Sequence, residues 1–222
     1  MKMNRLTKTL LYITLTVLIS FLFRPLALRL DEIVYEALQP VHRTEEGALY
    51  TFAEWITVLG GSTAFMLIIA ILSVAFYWRK KWQWFIFMVV FFVGGVLINT
   101  VLKQIIARDR PYGIEKSIDY IGEIFNLLSY SFPSGHSFRA MMLALFLSFL
   151  VYQSYKLSRF KLMISVGLMI LAITIALSRV VLAVHFPSDI IAAVLYAAVW
   201  FVILKMWLDP GVKEGGSENL NR

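Results

Sequence analysis

WQWFIFMVVFFVGGVLINTVLKQIIARDRP, residues 82–111, carries no charged side chain from Trp82 to Leu102 and then sets Lys103 and Arg110 seven residues apart, ahead of Pro111. An uncharged run of that length crosses the ~30 Å hydrocarbon core of a bilayer as a helix, because only a helix satisfies its own backbone groups there. Two cations at the end of such a run either anchor to lipid headgroups or, seven residues being about two helical turns, point the same way and clamp an anion if the helix persists to Arg110.

Five further apolar runs surround this one: Leu10 to Leu28, Ile56 to Trp78, Ser137 to Tyr152, Leu162 to Ala183 and Ile190 to Trp207. With 59% hydrophobic and only 16% charged residues in 222, the chain is an integral membrane protein with no room for a separate soluble domain. The expected fold is all-α, a polytopic bundle of six transmembrane helices with short extracytoplasmic interfacial helices. Residues 1–208 are expected to form a single six-span domain and residues 209–222 a disordered cytoplasmic tail. The first run follows Lys2, Arg5 and Lys8 like a signal peptide, but no small-x-small cleavage site follows it, so an uncleaved anchor is expected.

There is no cysteine, which removes disulfides, thiolate nucleophiles and sulfur-ligated metals. The net charge of +7 is spread in small basic groups beside apolar runs, which is how membrane topology is written rather than how nucleic acid is bound. Lys2, Arg5 and Lys8, then Arg79, Lys80 and Lys81, then Lys156, Arg159 and Lys161 mark three cytoplasmic segments. Both termini are then cytoplasmic, and the segments after Leu102, before Ser137 and after Ala183 meet on the extracytoplasmic side.

Two connections have apolar residues at helical spacing. Leu30, Ile33, Val34, Ala37 and Leu38 predict a short interfacial helix with Asp31, Glu32 and Glu36 on another face. Tyr120, Ile121, Ile124, Phe125, Leu127 and Leu128 predict a second, either a packed aromatic loop or a lip that receives an amphiphilic substrate.

Two more groups of polar residues stand at span ends. Pro133-Ser134-Gly135-His136 precedes the fourth run, where free backbone N–H groups and the helix dipole make an anion site, glycine allows close approach, and His136 is placed to protonate a leaving oxygen. A serine cap and an interfacial histidine would account for the same four residues. Ser178-Arg179-x5-His185-x3-Asp189 spaces a histidine and a carboxylate one helical turn apart. Asp189 can then take the Nδ1 hydrogen and leave Nε2 with its lone pair as a nucleophile, unless the pair is a structural cap. A metal held by His185 and Asp189 would face repulsion from Lys103, Arg110 and Arg179.

Together the three stretches resemble the signature of the type 2 phosphatidic acid phosphatase family, relatives of the vanadium haloperoxidases and including bacterial phosphatidylglycerophosphatase-like members. Every specified residue is present, in order and with the family's internal spacing. The resemblance implies that His185 attacks phosphorus, Asp189 orients it and His136 protonates the leaving oxygen. It also implies that Lys103, Arg110, Ser134, Gly135 and Arg179 hold the nonbridging oxygens in place of a metal, so no cofactor is expected. Ser178 is assigned at most a supporting hydrogen bond.

The expected activity is hydrolysis of a lipid phosphate or diphosphate, with phosphatidylglycerol phosphate, phosphatidic acid and undecaprenyl diphosphate as candidates. The expected partners are that substrate and membrane lipids, without nucleic acid or an obligate protein partner. A lipid phosphotransferase using the same phosphohistidine, and a non-catalytic lipid binder or transporter, are the alternatives. Outside the signature, Arg139 lies near the face of His136 and would bind a second phosphate or headgroup, or form a salt bridge. Asn99 is expected to bond between helices, Gly60-Gly61 and Gly94-Gly95 to mark close packing, and His42 to be solvated.

Overall fold

The computed structural model describes residues 3–111, 130–154 and 158–210, so the element expected around Tyr120 to Leu128 and the tail from residue 211 lie outside the described residues. Helices are the only regular structure among them: α1 (Arg5–Leu22), α2 (Arg24–Thr44), α3 (Ala48–Thr57), a 3-10 turn (Val58–Gly60), α4 (Ser62–Trp78), α5 (Trp82–Ile106), α6 (Gly135–Ser154), α7 (Ser158–Val181) and α8 (Pro187–Leu208). Six helical runs among the described residues are long and apolar enough to cross a membrane, α3 and α4 counting as one.

The first span ends earlier than the apolar run. Pro25 occupies the first turn of α2, where its missing N–H costs nothing, and the chain breaks at Phe23. Leu26 and Leu28 therefore belong to α2, which is 21 residues long rather than a short interfacial helix. Its Val34 and Leu38 pack on Ala176, Val180 and Ile190 of α7 and α8. Asp31 does not share the solvated face expected for it: it is buried, and so is His42. The His42 ring bonds the Val180 carbonyl through Nε2 at 3.1 Å, and burial lowers its pKa against that bond's opposing pull.

α6 is the central helix, with 61% of its span buried against 6% for α1. It packs on α4, α5, α7 and α8 through an aromatic core that includes Phe87, Phe91, Phe92, Phe138, Phe146 and Phe149. The glycine pairs allow the close contacts expected of them. A Cβ on Gly94 would lie 2.7 Å from Trp200, one on Gly95 would run into Met142, and one on Gly60 would lie 2.6 Å from Ile175 Cγ2. Alternating helix directions bring the end of α5, the start of α6, the end of α7 and the start of α8 to one end of the bundle.

Candidate active site

At that end, α7 stops at Val181, and the amides of Val184 and His185 both turn back onto the Arg179 carbonyl, at 3.2 and 3.3 Å. Phe186 caps α8, Pro187 opens it, and Asp189 reaches back from the third position to accept the Phe186 amide at 2.9 Å. This cap also holds the imidazole: His185 Nδ1 lies 3.4 Å from Asp189 Oδ2. Asp189 Oδ2 accepts the Ser131 hydroxyl as well. Both residues are buried. Burial, reinforced by Lys103, Arg179 and Arg110, holds the His185 imidazole well below its ordinary pKa of 6.5, while the Ser131 carbonyl pulls the other way. The ring is therefore neutral at neutral pH, the state a nitrogen nucleophile needs.

Ser134 joins this turn to the second motif. Its amide donates to the Asp189 carbonyl at 3.2 Å, and its own carbonyl accepts the Phe138 amide at 3.0 Å, so it starts α6 while docked on α8. Its hydroxyl accepts from that of Ser137 at 2.9 Å, leaving its hydrogen to donate onward. A Cβ on Gly135 would meet only Arg139 Nη1 at 3.5 Å and Asn99 Oδ1 at 3.8 Å. His136 follows, with Nδ1 3.4 Å from Arg139 Nη2. A guanidinium has only donors, so Nδ1 accepts and the hydrogen of the neutral ring sits on Nε2.

The cations come from three directions. Lys103, in the last turn of α5, is buried and bonds the Tyr130 carbonyl at 2.6 Å and that of Ser131 at 3.4 Å. Arg179 is buried at the end of α7 with Nη1 2.8 Å from Thr57 Oγ1. Arg110 does not extend the helix of Lys103, because α5 ends at Ile106 with Ala107 in the left-handed region, φ 45°. The turn nonetheless returns Arg110 to the site, where burial lowers its pKa and the nearby Asp189 raises it. Ser178 donates its hydroxyl back to the Ile175 carbonyl, at 2.7 Å.

Sequence reasoning missed Arg108, Asp31, Ser131 and Ser188. Arg108 Nη1 reaches Asp189 Oδ1 at 3.0 Å and Ser188 Oγ at 2.6 Å, while Nη2 reaches Asp31 Oδ2 at 2.8 Å. Its guanidinium also lies 4.0 Å over the Phe186 ring. Asp31 in turn accepts the Ser188 amide at 2.8 Å and hydroxyl at 2.5 Å. The signal for Asp31 was its spacing, since residues 31, 34 and 38 lie on one helical stripe. Arg139, next to His136 as its spacing implied, donates from Nε to the Gly60 carbonyl at 3.2 Å.

Lys103, Arg108, Arg110, Arg139 and Arg179 thus surround two carboxylates and two imidazoles. Among the described residues no three His, Cys, Asp or Glu side chains gather as metal ligands would. Such an arrangement has the charge to hold a multiply charged oxyanion and a neutral imidazole to offer it.

Residues 82–211 match the family model described as PAP2 superfamily, a range that includes all three motifs. The chain is 33% identical over 152 residues to phosphatidylglycerophosphatase B of Bacillus subtilis, covering 68% of this chain and 70% of that one. It is 32% identical over 126 residues to lipid A 1-phosphatase of Rhizobium johnstonii, 54% of this chain but less than half, 45%, of that protein. Among solved structures it resembles the transmembrane PAP2 type phosphatidylglycerolphosphate phosphatase of Bacillus subtilis, with a TM-score of 0.72 and 26% identity over 94% of this chain and 99% of that one. LpxE of Aquifex aeolicus shares the fold, with a TM-score of 0.53 and 21% identity over 77% and 93% of the two chains.

Proposed function

The chain belongs to the PAP2 superfamily, as a multi-pass membrane protein and a phosphoric ester hydrolase, and we propose that it removes phosphate from a lipid phosphate or diphosphate through a phosphohistidine on His185. The observation that carries this reading is the buried His185–Asp189 pair, 3.4 Å apart, with Lys103, Arg110 and Arg179 beside it.

His185 Nε2 attacks phosphorus in line with the bond to the lipid oxygen. The N–P bond forms, the P–O bond breaks, and its electron pair leaves on the lipid oxygen, which takes a proton from the imidazolium form of His136. Water then forms the new P–O bond and gives its proton to His136, while the N–P pair returns to His185. Lys103, Arg110 and Arg179 balance charge on the three nonbridging oxygens, Gly135 admits them to the start of α6, and Ser134 donates its hydroxyl. Asp189 fixes the His185 tautomer and offsets the positive charge that develops on it.

A substrate that keeps its tails in the bilayer is supported by a cavity of about 540 Å³ beside the third motif, lined by apolar side chains that include Leu30, Val34, Leu38, Leu177, Ile190 and Ile191. Relatives named phosphatidylglycerophosphatase B and lipid A 1-phosphatase point to the same substrate class. The basic groups at Arg79 to Lys81 and at Arg159 and Lys161 favour an extracytoplasmic site with both termini cytoplasmic.

Purified protein in detergent and chelator, assayed for phosphate release from phosphatidylglycerol phosphate, phosphatidic acid and undecaprenyl diphosphate, tests the reading. Release by the wild type and its loss in His185→Ala are expected. Transfer of the phosphoryl group to an added alcohol lipid in preference to water would make the protein a phosphotransferase instead.

A further inference from the structure

We infer that Arg139, with Asn99 and the open edge of Gly135, forms a second anion subsite for a phosphate on the departing side of the substrate, a reading that rests on the lipid phosphatase function proposed above. In-line displacement puts the departing oxygen opposite His185, next to the residue that protonates it. That residue, His136, is held by Arg139 Nη2 at 3.4 Å. Arg139 belongs to this side of the site, three residues after His136 on α6 and bonded to the Gly60 carbonyl beside that ring.

The guanidinium is positioned by the Gly60 carbonyl, 3.2 Å from Nε, by His136 Nδ1, and by the Gly135 edge, where Nη1 would lie 3.5 Å from a Cβ. An independent observation points to a ligand at the same place. Asn99 is buried at 6% exposure, its Oδ1 is 3.8 Å from that same Cβ position, and its Nδ2 has no hydrogen-bond partner among the described residues. A buried amide donor without an acceptor is costly, and with the amide turned so that Nδ2 instead of Oδ1 faces the Gly135 edge a phosphate oxygen would satisfy it.

The subsite also completes the proton logic. An imidazolium cannot accept at Nδ1, so His136 gains its second proton, taken from solvent, only when Arg139 leaves that nitrogen. A second phosphate gives the guanidinium an anion to turn to. Phosphatidic acid departs as a neutral diacylglycerol and offers none, whereas a lipid diphosphate and a lipid with a second phosphate in its headgroup both do.

The test compares wild type, Arg139→Gln and Asn99→Ala as full chains in detergent with chelator. The first readout is the ratio of kcat/KM for undecaprenyl diphosphate, and for phosphatidylglycerol phosphate, to that for phosphatidic acid, in which losses from partial misfolding cancel. At least one ratio is expected to fall about fivefold or more in Arg139→Gln, and the lipid whose ratio falls further identifies the source of the second phosphate. A smaller fall for both overturns the inference while leaving the phosphatase reading intact. The second readout is thermal stabilisation by inorganic pyrophosphate relative to orthophosphate. If the wild type hydrolyses no lipid, the phosphatase reading fails and this readout decides the subsite: selective loss of the pyrophosphate effect in both variants supports it, and an unchanged ratio overturns it.

Discussion

Arg108 bridges Asp31 and Asp189: its two terminal nitrogens lie 2.8 Å from Asp31 Oδ2 and 3.0 Å from Asp189 Oδ1. One guanidinium thereby ties the helix after the first span to the carboxylate behind His185. Both carboxylates are buried, and burial of either charge is strongly unfavourable without a cation beside it. Replacing Arg108 with Ala should strand Asp31 and take from Asp189 its direct ion pair, at about 3 kcal/mol or more of stability, whereas Asp31→Asn, which keeps the Arg108–Asp189 pair, should cost about 1–3 kcal/mol. Thermal unfolding in detergent ranks the two; equal, negligible losses would show that the bridge is not structural.

The pH profile should reflect His185. Its pKa in the folded protein is below the ordinary 6.5, so the nucleophile stays neutral as pH falls through 6.5 and the acid limb of kcat/KM lies lower. Between the two values the unfolded chain binds a proton the folded chain refuses, so stability is lost as pH falls below 6.5. Arg110 contributes to the lowering after burial, Lys103 and Arg179. Arg110→Gln should therefore move the acid limb to higher pH as well as reduce activity, and a limb that stays put would contradict the placement of Arg110 beside His185.

Lys103 donates its ammonium hydrogens to the Tyr130 and Ser131 carbonyls, at 2.6 and 3.4 Å, as well as lying among the cations around His185. Lys103→Met should lower kcat/KM about 100- to 1,000-fold, the range seen when one oxyanion donor is lost. Steady-state kinetics on any accepted lipid would check it, and a loss under tenfold would remove Lys103 from the charge-balancing set.

Gly60→Ala should disturb the site without changing any polar group. The added Cβ would sit 2.6 Å from Ile175 Cγ2, so α7 or the Gly60 turn, whose carbonyl holds Arg139, must shift, at about 1–3 kcal/mol. Gly167, inside α7 where an added Cβ would meet nothing within 4 Å, is the control: Gly167→Ala should leave activity unaltered and not lower the unfolding temperature.

The six spans were legible because bilayer crossing needs long uncharged runs, and Trp82 to Leu102 announces one by composition alone. Helix ends were less so. Ala107 turns left-handed after α5 although nothing in its side chain demands it, and Pro25 ends the first span inside an apolar run. Within the site, the residues with fixed motif spacing could be named, but how they are connected could not. Ser134 docks on the Asp189 carbonyl and Lys103 on that of Ser131 through backbone groups that leave no trace in residue identity. Asp31 was misplaced because a carboxylate among acids reads as solvated, and only its long-range partner Arg108, 77 positions away, reveals otherwise.

Chemical trapping of the phosphohistidine decides whether His185 is the nucleophile. Protein mixed with lipid labelled with ³²P on its terminal phosphate, then quenched in alkali, should carry label that is stable to base, labile to acid and mapped to the peptide containing His185. The label should be absent from His185→Ala and, because His136 serves both steps, should appear more slowly in His136→Ala. Phosphate release by the wild type with no labelled histidine under any quench, and with turnover persisting in His185→Ala, would contradict the account.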